Sequence, residues 1–146
     1  MMSAPAPELT LCVSRTVPFY DLDPMGVVWH GNYLRYLDEA RLALFDRAGL
    51  DLYRVVEADG SFAFPIVRSR VKHVAPLRLR DRFEVYARVV DARLKISMEF
   101  EVRRGDDHVV CARAGSEQVA VRLPELALEL RIPPVVTRKL CPWQTD

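Results

Sequence analysis

The sequence is short of net charge: 21 lysines and arginines stand against 20 aspartates and glutamates, which leaves +1 with histidine neutral. A chain so balanced carries no electrostatic footprint for nucleic acid. Cysteine is sparse as well. Cys12, Cys111 and Cys141 are odd in number, far apart and never in a CxxC pair, so neither a disulfide framework nor a zinc site is expected. His73 and His108 have no ligand-like spacing, and no metal or prosthetic group is implied. No apolar run approaches the roughly 20 residues that span a bilayer. Met1 to Glu8 has neither the basic nor the apolar segment of a secretory signal. These absences lead to an expectation of a cytoplasmic protein without a membrane span, with a flexible tail over residues 1–8. One domain over 9–146 follows, because 146 residues bury one core but not two.

What is present is pattern. Half of the residues are hydrophobic. Leu9, Leu11, Val13 and Val17 recur at even spacing, as in a half-buried strand, with Arg15 interrupting the face. Residues 19–30, with Asp21, Asp23, Pro24 and Gly26, read as a structured loop. Asn32 can cap a helix that follows, in which Tyr33, Leu37, Ala40, Leu44 and Ala48 share a face and Gly49 is the stop. Leu34, Leu42 and Phe45 widen the apolar surface, so deep burial of this helix is expected.

A polar link near Glu57 to Ser61 precedes four strand-like segments: Phe64 to Ala75, Arg82 to Asp91, Lys95 to Arg104 and His108 to Leu123. Phe83, Val85, Ala87 and Val89 alternate in the second, and Ile96, Met98, Phe100 and Val102 in the third. Leu126, Leu128, Leu130 and Ile132 alternate again before Pro133-Pro134, and residues 135–140 suit a short helical turn. One apolar helix followed by antiparallel strands is the α+β pattern. The exposed edges of such a sheet favour pairing with a second copy.

The chemistry concentrates in Tyr20-Asp21-Leu22-Asp23-Pro24-Met25-Gly26-Val27-Val28-Trp29-His30-Gly31-Asn32-Tyr33, two carboxylates in a turn-rich loop ahead of a helix N-terminus. Free N–H groups at that terminus can hold a developing negative oxygen, while a carboxylate attacks or activates water. This is equipment for ester or thioester hydrolysis.

The same stretch closely resembles the signature of the 4-hydroxybenzoyl-CoA thioesterase family, which includes the Tol-Pal-associated acyl-CoA thioesterases. The downstream order of strands is similar across most of the chain. The resemblance implies a hotdog fold, one long central helix wrapped by an antiparallel sheet of about five strands. It also implies a homodimer, or a homotetramer built as a dimer of dimers, acting on an acyl-CoA, with coenzyme A entering only as part of the substrate. Carried over by position, Asp23 is the catalytic carboxylate, as nucleophile or general base. The backbone N–H of His30 helps polarise the thioester oxygen, with Gly31 close by, and the His30 imidazole can assist the leaving thiolate. Asn32 and Tyr33 complete the match as helix cap and pocket wall.

Other residues carry weaker signals. Asp21 reads as structural. Glu39 is the runner-up carboxylate, because other hotdog thioesterases place theirs on the central helix, although an ion pair with Arg35 four residues earlier is the simpler reading. Arg68, Arg70 and Lys72 alternate along one strand face, either as a strip for coenzyme A phosphates or as a solvated surface, with the second slightly favoured. Lys95 begins a strand that lines the acyl channel in related folds. Two alternative functions remain at this stage: hydrolysis of acyl-carrier-protein thioesters, and noncatalytic acyl-CoA binding, against which an intact Asp23 counts.

Overall fold

The computed structural model describes residues 7–51 and 53–144. Most of the expected N-terminal tail, residues 1–6, lies outside the described residues. In chain order the elements are β1 (Thr10–Thr16), α1 (Asn32–Arg47), β2 (Val55–Glu57), β3 (Gly60–Ala63), β4 (Ile66–His73) and β5 (Arg82–Asp91). They continue with β6 (Ile96–Arg104), β7 (Val110–Gln118), β8 (Val121–Leu123), β9 (Ala127–Leu128) and α2 (Pro134–Leu140). A single 3-10 turn, Phe19–Asp21, sits inside the loop ahead of α1. Among the described residues no helix is long and apolar enough to cross a membrane.

The larger sheet is antiparallel, in the order β1-β5-β6-β7-β4. Its central strands alternate as their sequences require. Phe83, Val85, Ala87 and Val89 of β5 and Ile96, Met98, Phe100 and Val102 of β6 are all buried, each large side chain contributing about 1.5–3 kcal/mol by leaving water. Register puts Ala87 and Ala114 on either side of Phe100, so two small residues make room for one large ring. The 16-residue helix α1 lies against this face. Tyr36 packs on Phe83 with ring centroids 4.6 Å apart.

Several expectations are corrected. The architecture is α+β, but it has two helices and a second, four-stranded sheet, β2-β3-β8-β9, in place of one helix and about five strands. The stretch read as a polar link is the β2–β3 hairpin, turned at Ala58-Asp59. The segment from His108 to Leu123 is not one strand: it breaks after Gln118, and β8 joins the other sheet. In β1 the register shifts between Leu11 and Val13, which turns Leu11 out to solvent while Val13 stays buried. Leu126, Leu128 and Leu130 are exposed despite their alternation, and only Ile132 enters the core. On α1, Leu34 and Leu42 face outward, whereas Tyr36 and Arg41 are buried.

Candidate active site

The loop ahead of α1 is a short hairpin closed by its own backbone. Leu22 bridges Val28, and the Asp23 N–H donates to the Val27 carbonyl at 2.8 Å. At the tip, Gly26 adopts a φ of +78°, a conformation glycine takes without Cβ strain. One oxygen of Asp23, Oδ1, accepts the amides of Met25 at 2.8 Å and Val27 at 3.4 Å. The other oxygen, Oδ2, has no partner among the described residues, and the side chain is half-buried. Asp23 is thus held by its own turn through one oxygen, and the other is left without a partner among the described residues.

Asp21 is 4% exposed and serves a different purpose. Its carbonyl accepts the Trp29 amide and the Asn32 carboxamide, both at 2.9 Å. Its carboxylate oxygen Oδ2 accepts the Tyr36 hydroxyl at 2.5 Å, and the Arg35 guanidinium lies 3.6 Å from Oδ1. Burial, reinforced by this bond to Asp21, pushes the Tyr36 hydroxyl far above the ordinary tyrosine range. The network locks the end of the hairpin to the first turn of α1.

The N-cap position belongs to Gly31, not to Asn32. Gly31 has helical backbone angles and provides no side-chain cap. Asn32 is the first helical residue, and its amide group ties Asp21 to Arg35, whose Nη1 donates to Asn32 Oδ1 at 2.9 Å. The backbone amides of Asn32 and Tyr33 are taken by the carbonyls of Trp29 and His30. Those of His30 and Gly31 donate to no acceptor among the described residues. Two free N–H groups therefore stand at the positive end of α1, where helix geometry favours a negative oxygen. The exposed His30 ring meets Trp29 edge-on at 5.2 Å. The indole also lies over Gly31, and a Cβ there would run into it. Tyr33 is buried against His73, at 4.7 Å between ring centroids, as part of the core. Burial raises its hydroxyl to about 12.

The remaining candidates separate from this loop. The Arg35–Glu39 ion pair does not form. Arg35 turns toward Asp21 and Asn32, and Glu39 meets Arg15 at 3.1 Å. Arg68, Arg70 and Lys72 are exposed and pair in register with Glu117, Gly115 and Arg113, on the sheet face away from α1. Lys95 precedes β6 and reaches Glu117 at 3.5 Å.

A cavity of about 620 Å³ opens beside the middle of α1, between Asp38, Arg41 and Leu42 on one side and Phe64, Ile66 and Gln118 on the other. Arg41 was not singled out from sequence. It is 3% exposed, bonds to Asp38, and donates to Ser116 Oγ at 2.8 Å. Desolvation lowers its guanidinium below the ordinary arginine value. The available signal was its spacing: Leu37, Arg41 and Phe45 are four residues apart, which puts a cation on the apolar face.

The Thioesterase-like superfamily model matches residues 17–140, nearly the whole described chain. The 1,4-dihydroxy-2-naphthoyl-CoA hydrolase of Synechocystis is 27% identical over 117 residues, covering 80% of this chain and 84% of that protein. A 4-hydroxybenzoyl-CoA thioesterase from Pseudomonas is 37% identical over 67 residues, 44% of this chain and 47% of that one. Among solved structures, the 1,4-dihydroxy-2-naphthoyl-CoA thioesterase of Synechocystis superposes with a TM-score of 0.76 at 25% identity, over 88% of this chain and 93% of that one. A hypothetical protein from Thermus thermophilus gives 0.74 at 29%, over 90% and 98%. With the hotdog arrangement of helix and sheet, the chain belongs to the Thioesterase-like superfamily.

Proposed function

We propose that this protein hydrolyses an acyl-CoA thioester to the free acid and coenzyme A, with Asp23 as nucleophile or general base. The observation that carries this reading is the coincidence, on one short hairpin, of a carboxylate with a free oxygen and two free amides at a helix N-terminus. Oδ2 of Asp23 attacks the thioester carbon directly, or takes a proton from the water that does. The carbonyl oxygen becomes negative and is held by the His30 and Gly31 amides. Collapse of the tetrahedral intermediate breaks the C–S bond, and the thiolate leaves, taking a proton from solvent or from the His30 imidazole. On the direct route, water then cleaves the acyl anhydride and frees Asp23. The related thioesterases that act on hydroxylated aromatic acyl-CoA make such compounds the first substrates to test.

The reading includes a homodimer. β4 is an edge strand of the larger sheet, and Ile66 and Val67 are exposed on it. Its C-terminal end is held to the start of α1 through the Tyr33–His73 contact, and its N-terminal end borders the cavity. Antiparallel pairing of two β4 strands therefore brings the Asp23 hairpin of one subunit beside the cavity of the other. Pairing of two dimers into a tetramer extends the same assembly. A reducing, cytoplasmic setting suits the three free thiols.

The test is release of free coenzyme A thiol from acetyl-, hexanoyl-, palmitoyl-, benzoyl- and 4-hydroxybenzoyl-CoA, with sedimentation to establish the oligomer. Turnover that disappears in Asp23→Asn supports the assignment. Equal turnover in both proteins removes Asp23 from the chemistry. Turnover only on a carrier-protein thioester would replace coenzyme A as the handle.

A further inference from the structure

Among the described residues, four buried side-chain polar atoms have no hydrogen-bond partner: Asp21 Oδ1, Glu39 Oε2, Arg41 Nε and Gln118 Oε1. Three of the four belong to residues that line the 620 Å³ cavity beside α1. Glu39 Oε2 retains the Arg15 guanidinium at 3.1 Å, which leaves Arg41 and Gln118. Their other atoms are already engaged. Arg41 bonds to Asp38 and to Ser116 Oγ, while Gln118 Nε2 donates to the Phe64 carbonyl at 2.9 Å. What remains is one N–H donor and one carbonyl acceptor, on side chains 3% and 1% exposed. Ser116 and Gln118 are alternate residues on one face of β7, so the guanidinium held by Ser116 and the Gln118 carboxamide share that face, and both side chains line the cavity. Buried polar atoms without partners are costly and uncommon. Two of them, on side chains that line one largely apolar cavity, mark a place where a partner is missing.

We propose that the cavity receives the acyl group and that Arg41 and Gln118 together read a hydroxyl at its far end. The hydroxyl oxygen accepts from Arg41 Nε–H, and its own proton goes to Gln118 Oε1. A hydrocarbon end leaves both atoms unpaired. A carboxylate has no proton for Oε1 and adds negative charge beside Asp38 and Glu39, which share the cavity with Arg41 as the buried cation. Neighbouring atoms cover both Nε and Oε1, so binding includes a small turn of the two groups toward the cavity. The proposal deepens the thioesterase reading and rests on it for the nature of the ligand.

The experiment is calorimetric binding of S-phenacyl-CoA and its 3- and 4-hydroxy derivatives, thioethers that cannot be hydrolysed and differ only in the hydroxyl. Wild type is expected to bind at least one hydroxylated isomer about tenfold or more tightly than the parent. Gln118→Met, similar in size but without the acceptor, should bring that ratio to within about twofold while parent affinity persists. Arg41→Lys, which keeps the charge and lacks Nε, gives the same readout if the first variant does not fold. Equal affinity of wild type for all three ligands, no binding of any, or a preference that survives in both folded variants overturns the proposal. Turnover of benzoyl- and 4-hydroxybenzoyl-CoA, measured in parallel, separates the two readings. Selective binding without turnover refutes the thioesterase and leaves the hydroxyl site standing, whereas turnover without selectivity refutes the site alone.

Discussion

Asp21 and Asp23 stand two residues apart in one hairpin and occupy opposite environments. Asp21 is almost wholly buried, with its carbonyl and carboxylate holding Trp29, Asn32 and Tyr36. Asp23 is half-buried, steadied at one oxygen by the amides of its own turn and unpartnered at the other. The 3-10 turn that ends at Asp21 sends its carboxylate inward, and the turn that begins at Asp23 holds the second carboxylate half-buried on the loop. The first is enclosed in structure, with Oδ2 taken by Tyr36 and the buried Oδ1 facing the Arg35 guanidinium at 3.6 Å. The second has capacity to spare, which is what a nucleophile or base requires.

The largest effect that sharpens this contrast is on rate. Asp23→Asn keeps a side-chain oxygen for the Met25 and Val27 amides, so unfolding in urea should shift by no more than about 0.5 kcal/mol. Thioester turnover should fall by roughly two to four orders of magnitude. A variant that lost stability instead would make Asp23 a second Asp21. Conversely, Asp21→Ala strands the Tyr36 hydroxyl and should cost about 1–3 kcal/mol in urea unfolding, with rate loss following from the loosened hairpin. Tyr36→Phe removes the same bond from the other side, and about 1 kcal/mol is expected by the same measurement.

The smallest expected effect is on alkaline stability. The hydroxyls of Tyr33 and Tyr36 are both held above the ordinary value, foremost by burial. The folded protein therefore keeps protons that the unfolded chain gives up once pH passes about 10. Their contribution is fully present below that pH and declines as pH rises through the raised values. Urea midpoints measured from pH 8 to 11 should fall at the upper end, and less steeply in Tyr36→Phe.

Much of this was legible because the relevant physics is local. Strict alternation in β5 and β6 had one way to bury its apolar face, and Ala40 and Phe45 could serve only a helix packed on that face. The hairpin residues likewise announce themselves through turn chemistry and charge. Where the reading failed, a distant partner decided. Asn32 suits a cap in isolation, but the Asp21 carbonyl captures its amide across eleven residues. Arg35 reaches Asn32 and Asp21 instead of Glu39, since Glu39 is met by Arg15 from β1. The β2–β3 hairpin carried a signal, Asp59 and Gly60 between the apolar pairs Val55-Val56 and Phe62-Ala63, that was outweighed by the polar composition of Glu57 to Ser61.

By itself the sequence determined the α+β class and the span of the central helix, because both follow from periodicity, while the choice of Asp23 over Asp21 came from the resemblance of the surrounding motif. Tertiary structure alone decided that the strand from His108 divides between two sheets, that Leu126, Leu128 and Leu130 face solvent, and that Arg41 and Gln118 meet at one cavity. Those outcomes depend on contacts between segments far apart in the chain. Local propensity carries no information about which distant surface will be there to receive a side chain.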